Sequence, residues 1–126
     1  MKHILIVEDD INLSELIKFR LQQLNYQVES VSDGIAMFEQ MRKQKPDLII
    51  LDVMLPKIDG YKLCTLIKNY EPYKEIPIII FTARSGDEAK TLAKESGCDA
   101  YITKPFDNKR LLEKVKELLE KTKVQE

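Results

Sequence analysis

The sequence predicts an α/β domain: a single doubly wound, five-stranded parallel sheet with helices on both faces. Three observations predict it. Five short runs of β-forming residues alternate with longer helical patterns along 126 residues. The first, third and fourth runs are apolar almost throughout instead of alternating, as strands read when both faces of their sheet are covered. No linker, repeat or low-complexity stretch divides the chain, and its length suffices to bury somewhat under roughly 70% of the surface exposed on unfolding.

The first strand is "HILIV" (3–7), an unbroken apolar run after His3. His3 has no partner cluster in the sequence and reads as a strand-end residue. The first helix places Leu13, Leu16, Ile17, Leu21 and Leu24 on one face, and "NLSE" (12–15) opens it in capping-box fashion, with Asn12 followed three residues later by Glu15. The second strand, "QVESV" (27–31), alternates and is expected near an edge. "DLIIL" (47–51) and "IPIIIF" (76–81), like the first strand, read as strands covered on both faces, and "AYIT" (100–103) is the last. Gly97, after "AKES", suits a helix C-terminus. In the final helix Leu111, Leu112, Val115, Leu118 and Leu119 form one stripe, Lys and Glu face away, and Asp107 is placed to cap its start. The folded unit is expected to span 1–121, with 122–126 a C-terminal tail or the beginning of a linker.

Charge and composition exclude several classes of function. Twenty Lys and Arg nearly balance 21 Asp and Glu, for a net charge of −1, so no direct nucleic-acid binding is expected of the domain. No run approaches the roughly 18 successive apolar residues that a membrane span needs. The start "MKHILIVEDD" is too short in apolar residues for a secretion signal, and a cytoplasmic location is expected. Cys64 and Cys98 lack CxxC spacing and read as small packing residues kept reduced.

The chemistry gathers where the strands end. In open α/β sheets the C-terminal ends of the strands lie along one rim, and sites are built there. The first strand delivers Glu8, Asp9 and Asp10; the third, in "IILDVMLP", delivers Asp52; the fourth delivers Thr82; the fifth delivers Lys104. Any one of these has a plain explanation as a cap, a loop residue or a solvated charge. Together they mark a site, because every strand but the edge-like second ends in such a group. Two carboxylates about 4 Å apart repel by roughly 4 kcal/mol at an effective dielectric near 20, so something positive must stand among them. Lys104 is one candidate. A hard divalent cation is the other, with Mg²⁺ the natural choice for carboxylates that also handle phosphate. A carboxylate can itself attack phosphorus, and the protein then has to supply mainly position and neutralising charge. Asp52 fits the nucleophile, Asp9 a metal ligand, Lys104 a phosphoryl-binding cation and Thr82 a hydroxyl donor.

Over essentially its full length the sequence resembles the receiver domains of bacterial two-component response regulators, including the chemotaxis regulators. The resemblance is carried by "ILIVEDD" with Glu8 and Asp9, "LIILDVMLPKIDGYKL" around Asp52, "IPIIIFTA" with Thr82 and Ala83, and "GCDAYITKPF" with Tyr101, Lys104 and Pro105. It implies a flavodoxin-like fold of five βα units with strand order 2-1-3-4-5. It implies that Asp52 is the phosphoacceptor, and that Glu8, Asp9, Asp52 and the backbone carbonyl of Met54 hold Mg²⁺, for which Mn²⁺ could substitute. Lys104, Thr82 and Ala83 would bind the phosphoryl group, Thr82 and Tyr101 would form the switch, and the Lys104–Pro105 peptide would be cis. Met54 and Arg84 occupy the positions that tune the lifetime of the phosphate, and since neither readily serves as a base for water, slow self-dephosphorylation is expected.

The resemblance further implies a sensor histidine kinase or phosphotransfer protein as phosphoryl donor. Its output would pass through the surface of the fourth helix, fifth strand and fifth helix to a downstream effector or to a C-terminal output domain removed from this chain. Ala100 after Asp99, where the common DNA-binding subfamily tends to carry a second Asp, favours a stand-alone receiver. Such a domain is a signalling module and not an enzyme. A haloacid-dehalogenase-like phosphatase shares the Asp nucleophile, Thr, Lys and Mg²⁺, but it wants a second Asp where Met54 stands, and its acid pair comes late in the chain. A nucleotide-binding module would need a glycine-rich loop after a strand, and none is present. A receiver-like binding module independent of phosphorylation would be expected to lack one of the site residues.

Overall fold

The computed structural model describes residues 1–83, 86–105 and 107–124. Five βα units follow one another: β1 (His3–Val7), α1 (Ile11–Gln22), β2 (Gln27–Val31), α2 (Gly34–Lys43), β3 (Leu48–Asp52), α3 (Gly60–Lys68), β4 (Ile78–Thr82), α4 (Asp87–Ser96), β5 (Ala100–Thr103) and α5 (Asn108–Val124). All strand pairs are parallel, in the order β2-β1-β3-β4-β5. This is the flavodoxin-like α/β arrangement. No helix among the described residues is long and apolar enough to cross a membrane.

Every residue of β1, β3 and β4 is buried, which is why those runs carry no polar alternation. Side chains alternate across the sheet, so one strand feeds two cores. Leu5, Ile49 and Ile80 pack with Met37 and Met41 of α2, Leu63 and Ile67 of α3 and Ala93 of α4. Ile4, Ile50 and Ile79 pack on the other face with Ile17 and Leu21 of α1 and Leu111, Val115 and Leu119 of α5. Each such side chain contributes about 1.5 to 3 kcal/mol on leaving water. β2 lies at one edge with only Val28 buried.

Several sequence expectations shift on inspection. α1 starts at Ile11, and its cap is Asp10, whose carboxylate accepts the Leu13 N–H at 3.2 Å; Asn12 and Glu15 lie inside the helix, so "NLSE" is not its capping box. Leu16 and Leu24 are about half exposed, leaving Ile17 and Leu21, with Leu13 partly buried, to anchor α1. β3 and β4 end one residue later than their apolar runs, at Asp52 and Thr82, because ladder pairing continues through the polar residue. α5 continues to Val124, into the stretch read as a tail. Gly97 ends α4 at φ 84°, in the left-handed region, as its position suggested. Asp107 accepts the Lys109 N–H at 2.9 Å at the start of α5.

Candidate functional site

The site is assembled at the ends of β1, β3, β4 and β5. Glu8 follows β1 and is buried; Asp9 beside it is exposed; Asp52 is the last residue of β3 and only 2% exposed. One ligand oxygen from each of these three carboxylates lies within 4.8 Å of the others. Asp10 stands apart from them at the cap of α1, and its N–H donates to Glu8 Oε2 at 3.0 Å.

The cation among the acids is Lys104, just after β5. Its Nζ lies 2.8 Å from Glu8 Oε1 and 3.5 Å from Asp52 Oδ2. It also stands over the Phe81 ring at 4.7 Å from the centroid. Burial pulls this ammonium down, but the Glu8 bond and the Asp52 charge outweigh it, and Lys104 is held above the ordinary lysine value of 10.5. The backbone aims the lysine: its N–H donates to the Thr82 carbonyl at 2.6 Å, and the Lys104–Pro105 peptide is cis.

Asp52 is fixed from the loop that follows it. The Met54 N–H donates to Asp52 Oδ1 at 3.1 Å, while the Met54 side chain is 55% exposed. The chain then returns so closely at Gly60 that its N–H reaches the Val53 carbonyl at 2.9 Å, and a Cβ on Gly60 would lie 2.5 Å from Val53 Cα. Only glycine fits that approach. Asp59 accepts the Tyr61 N–H at 2.7 Å and so starts α3 there.

Thr82 ends β4 fully buried, with Ala83 exposed beside it. Ile80 pairs with Tyr101 and Thr82 with Thr103, so Thr82 and the half-buried Tyr101 stand on the same face of the sheet. Arg84 lies outside the described residues. The sequence therefore named most of what gathers at this rim. It missed Phe81 under the lysine, Asp10 as a cap, and Glu8 as the strongest partner of Lys104; an apolar strand residue carries no signal that a cation will sit on its ring.

This rim is the one where flavodoxin-like sheets build their sites. The response regulator receiver domain model matches residues 4–116. The chain belongs to the response regulator receiver domains. The receiver is 38% identical over 122 residues to the DNA-binding dual master transcriptional regulator RpaA of Synechocystis sp., covering 97% of this chain and 51% of the relative. It is 36% identical to the alkaline phosphatase synthesis transcriptional regulatory protein PhoP of Bacillus subtilis, covering 98% and 50%. The chain thus spans about half the length of these relatives. Among solved structures it is similar to a CheY-like receiver domain protein of Methanospirillum hungatei, with TM-score 0.91 and 28% identity over 100% of this chain and 99% of that one. It is also similar to the receiver domain of a signal transduction histidine kinase of Syntrophus aciditrophicus, with TM-score 0.89 and 38% identity over 95% and 91%. As a receiver of two-component systems, it is a signalling domain and not a classical enzyme. Its acidic pocket, with hard oxygen donors from Glu8, Asp9 and Asp52, suits a magnesium ion.

Proposed function

We propose that this receiver accepts a phosphoryl group on Asp52 from a histidine kinase or phosphotransfer protein and relays it as a change in its surface. The observation that carries the reading is the nearly buried Asp52 carboxylate, grouped with two other carboxylates within 4.8 Å and faced by Lys104 at 3.5 Å. Mg²⁺, held by Glu8, Asp9, Asp52 and the Met54 carbonyl, would supply the charge that lets an anion approach other anions. An Asp52 oxygen attacks phosphorus; the bond from phosphorus to the donor's imidazole nitrogen breaks, and the product is an aspartyl phosphate. The Met54 N–H holds Asp52 in orientation. Lys104 then binds a phosphoryl oxygen, and Thr82 and Ala83 bind another.

A hydrogen bond to a charged group contributes about 1.5 to 3 kcal/mol, on the scale of typical allosteric coupling. Thr82 turning toward the phosphate would therefore suffice to bias a near-balanced pair of states, with Tyr101 moving on the same face and the α4, β5 and α5 surface changing for a partner. Met54 and Arg84, neither a base for water, support a long-lived phosphate. Met54 in place of an acid also speaks against a haloacid-dehalogenase-like phosphatase. The folded receiver unit is taken as 1–121, acting in the cytoplasm. The names of RpaA and PhoP support a transcriptional output, reached through an effector or an attached output domain and not by nucleic-acid contact of the receiver itself.

Incubation with acetyl phosphate and Mg²⁺ tests the reading. Wild type gains one acid-stable, base-labile phosphoryl group, Asp52→Asn loses incorporation by on the order of 100-fold or more, and EDTA abolishes it. Equal labelling of the variant and wild type sinks the assignment.

A further inference from the structure

α3 and the turn that links α4 to β5 bring together two thiols that the phosphoryl site does not use. Cys64 is fully buried in α3, and Cys98, directly after the left-handed Gly97, is half-buried. Cys98 packs against the buried core cluster that holds Cys64 together with Ala93 and Ile67. The Ser96 hydroxyl and the Cys98 thiol each donate to the Ala93 carbonyl, at 2.6 Å and 3.2 Å. The backbone carrying Cys98 is pinned to α3 by Lys68, one turn beyond Cys64, which pairs with Asp99 at 2.8 Å. Lys68 also packs on Gly97, where an added Cβ would meet its Cγ at 3.5 Å. Ser96 lines a cleft of about 490 Å³ between α3 and α4.

We propose that Cys64 and Cys98 form a reversible intramolecular disulfide, making the seam between α3 and α4 a redox-modification site whose oxidant is a small-molecule disulfide. Cys98, the more accessible thiol, reacts first. Its thiolate attacks one sulfur of the oxidant, whose S–S bond breaks, giving a mixed disulfide and one released thiolate. The Cys64 thiolate then attacks Cys98 Sγ, forming the protein S–S bond and releasing the second thiolate. The two protons given up by the cysteines end on the two released thiols, so the protein is oxidised by two electrons and the oxidant reduced by two. Burial pushes both thiols up, Cys64 to about 11, which keeps them protonated and slow to react while the seam is closed. Exchange accordingly proceeds through openings of the seam. The bridge ties α3 to the turn entering β5, the strand of Tyr101, and restrains α4.

The test is incubation of the whole chain with oxidised glutathione, followed by maleimide trapping and intact mass. The expected product is a monomer lighter by about 2 Da that takes no maleimide and returns to two maleimides after dithiothreitol. Cys64→Ala is expected to stop at the glutathione adduct on Cys98, and Cys98→Ser to remain unmodified. The readout on wild type needs no variant. Persistence of two free thiols, an adduct on Cys98 that never resolves, or a dimer joined through Cys98 each overturn the proposal. None of these outcomes depends on phosphorylation of Asp52.

Discussion

At the N-terminal rim of the sheet, Asp47 accepts the His3 N–H at 2.7 Å, and Asp99 accepts the Ile78 N–H at 2.8 Å while pairing with Lys68. At the C-terminal rim, Glu8, Asp9 and Asp52 face one another with Lys104 among them. The same residue types sit at both ends of the same strands, and the difference is what their oxygens meet. Below, each acid precedes a strand and closes the first N–H of its neighbour, so its charge is used for folding. Above, carboxylates meet carboxylates, and the repulsion left over is a cost in stability retained for binding. Chain direction explains the division. A residue before a parallel strand is beside unpaired N–H groups, whereas one after it is beside other strand ends and the start of a loop.

Substitutions with opposite signs at the two rims sharpen this contrast. The largest effect is expected for Asp99→Ala, which strips an acceptor from Ile78 and a partner from Lys68: a loss of about 2 to 3 kcal/mol, read from the urea midpoint, with an unchanged midpoint breaking the comparison. Lys104→Met removes the cation from an almost fully buried Glu8 and is expected to lose about 2 kcal/mol without Mg²⁺. Because Lys104 is held above its ordinary value, its contribution is fully present below pH 10.5 and fades as pH rises through the higher folded value. The stabilities of wild type and Lys104→Met should therefore converge only at strongly alkaline pH.

The next effect is linkage to the ion. Mg²⁺ at ten times its Kd adds about 1.4 kcal/mol to wild type, by calorimetry or urea titration, and much less to Asp52→Asn. Without Mg²⁺, Asp52→Asn and Asp9→Asn relieve repulsion and gain about 1 kcal/mol, opposite in sign to Asp99→Ala; a loss from both would mean that the upper acids are structural too. The smallest effect concerns buried polar atoms at neither rim's charge clusters. Tyr61 Oη and both ring nitrogens of His3 are buried without a hydrogen-bond partner among the described residues. Tyr61→Phe and His3→Leu should fall within about 1 kcal/mol of wild type, on the stabilising side.

How much of this was legible depends on where a signal is stored. The runs through β1, β3 and β4 announced a two-faced sheet because burial on both sides leaves no room for polar alternation. The stripe of α5 was equally plain, since Leu111, Val115, Leu118 and Leu119 all reach the core. α1 was less so: Leu16 and Leu24 continue its apolar pattern but are about half exposed. Its cap was misplaced by two residues because Asp10 and Asn12 are both good caps, and only the direction of entry from β1 chooses between them. Strand order came from the family resemblance; five parallel strands alone permit other windings.

By itself, the sequence determined the number and kind of elements and the residue types that end each strand, since periodicity and chemistry are local properties of the chain. Tertiary structure decided which segments touch: that Lys104 prefers Glu8, that it lies over Phe81, that Gly60 returns against Val53, and that Cys98 packs on the core cluster holding Cys64. Such pairings depend on distances between segments far apart in the chain, and those distances exist only once the helices have packed on the sheet.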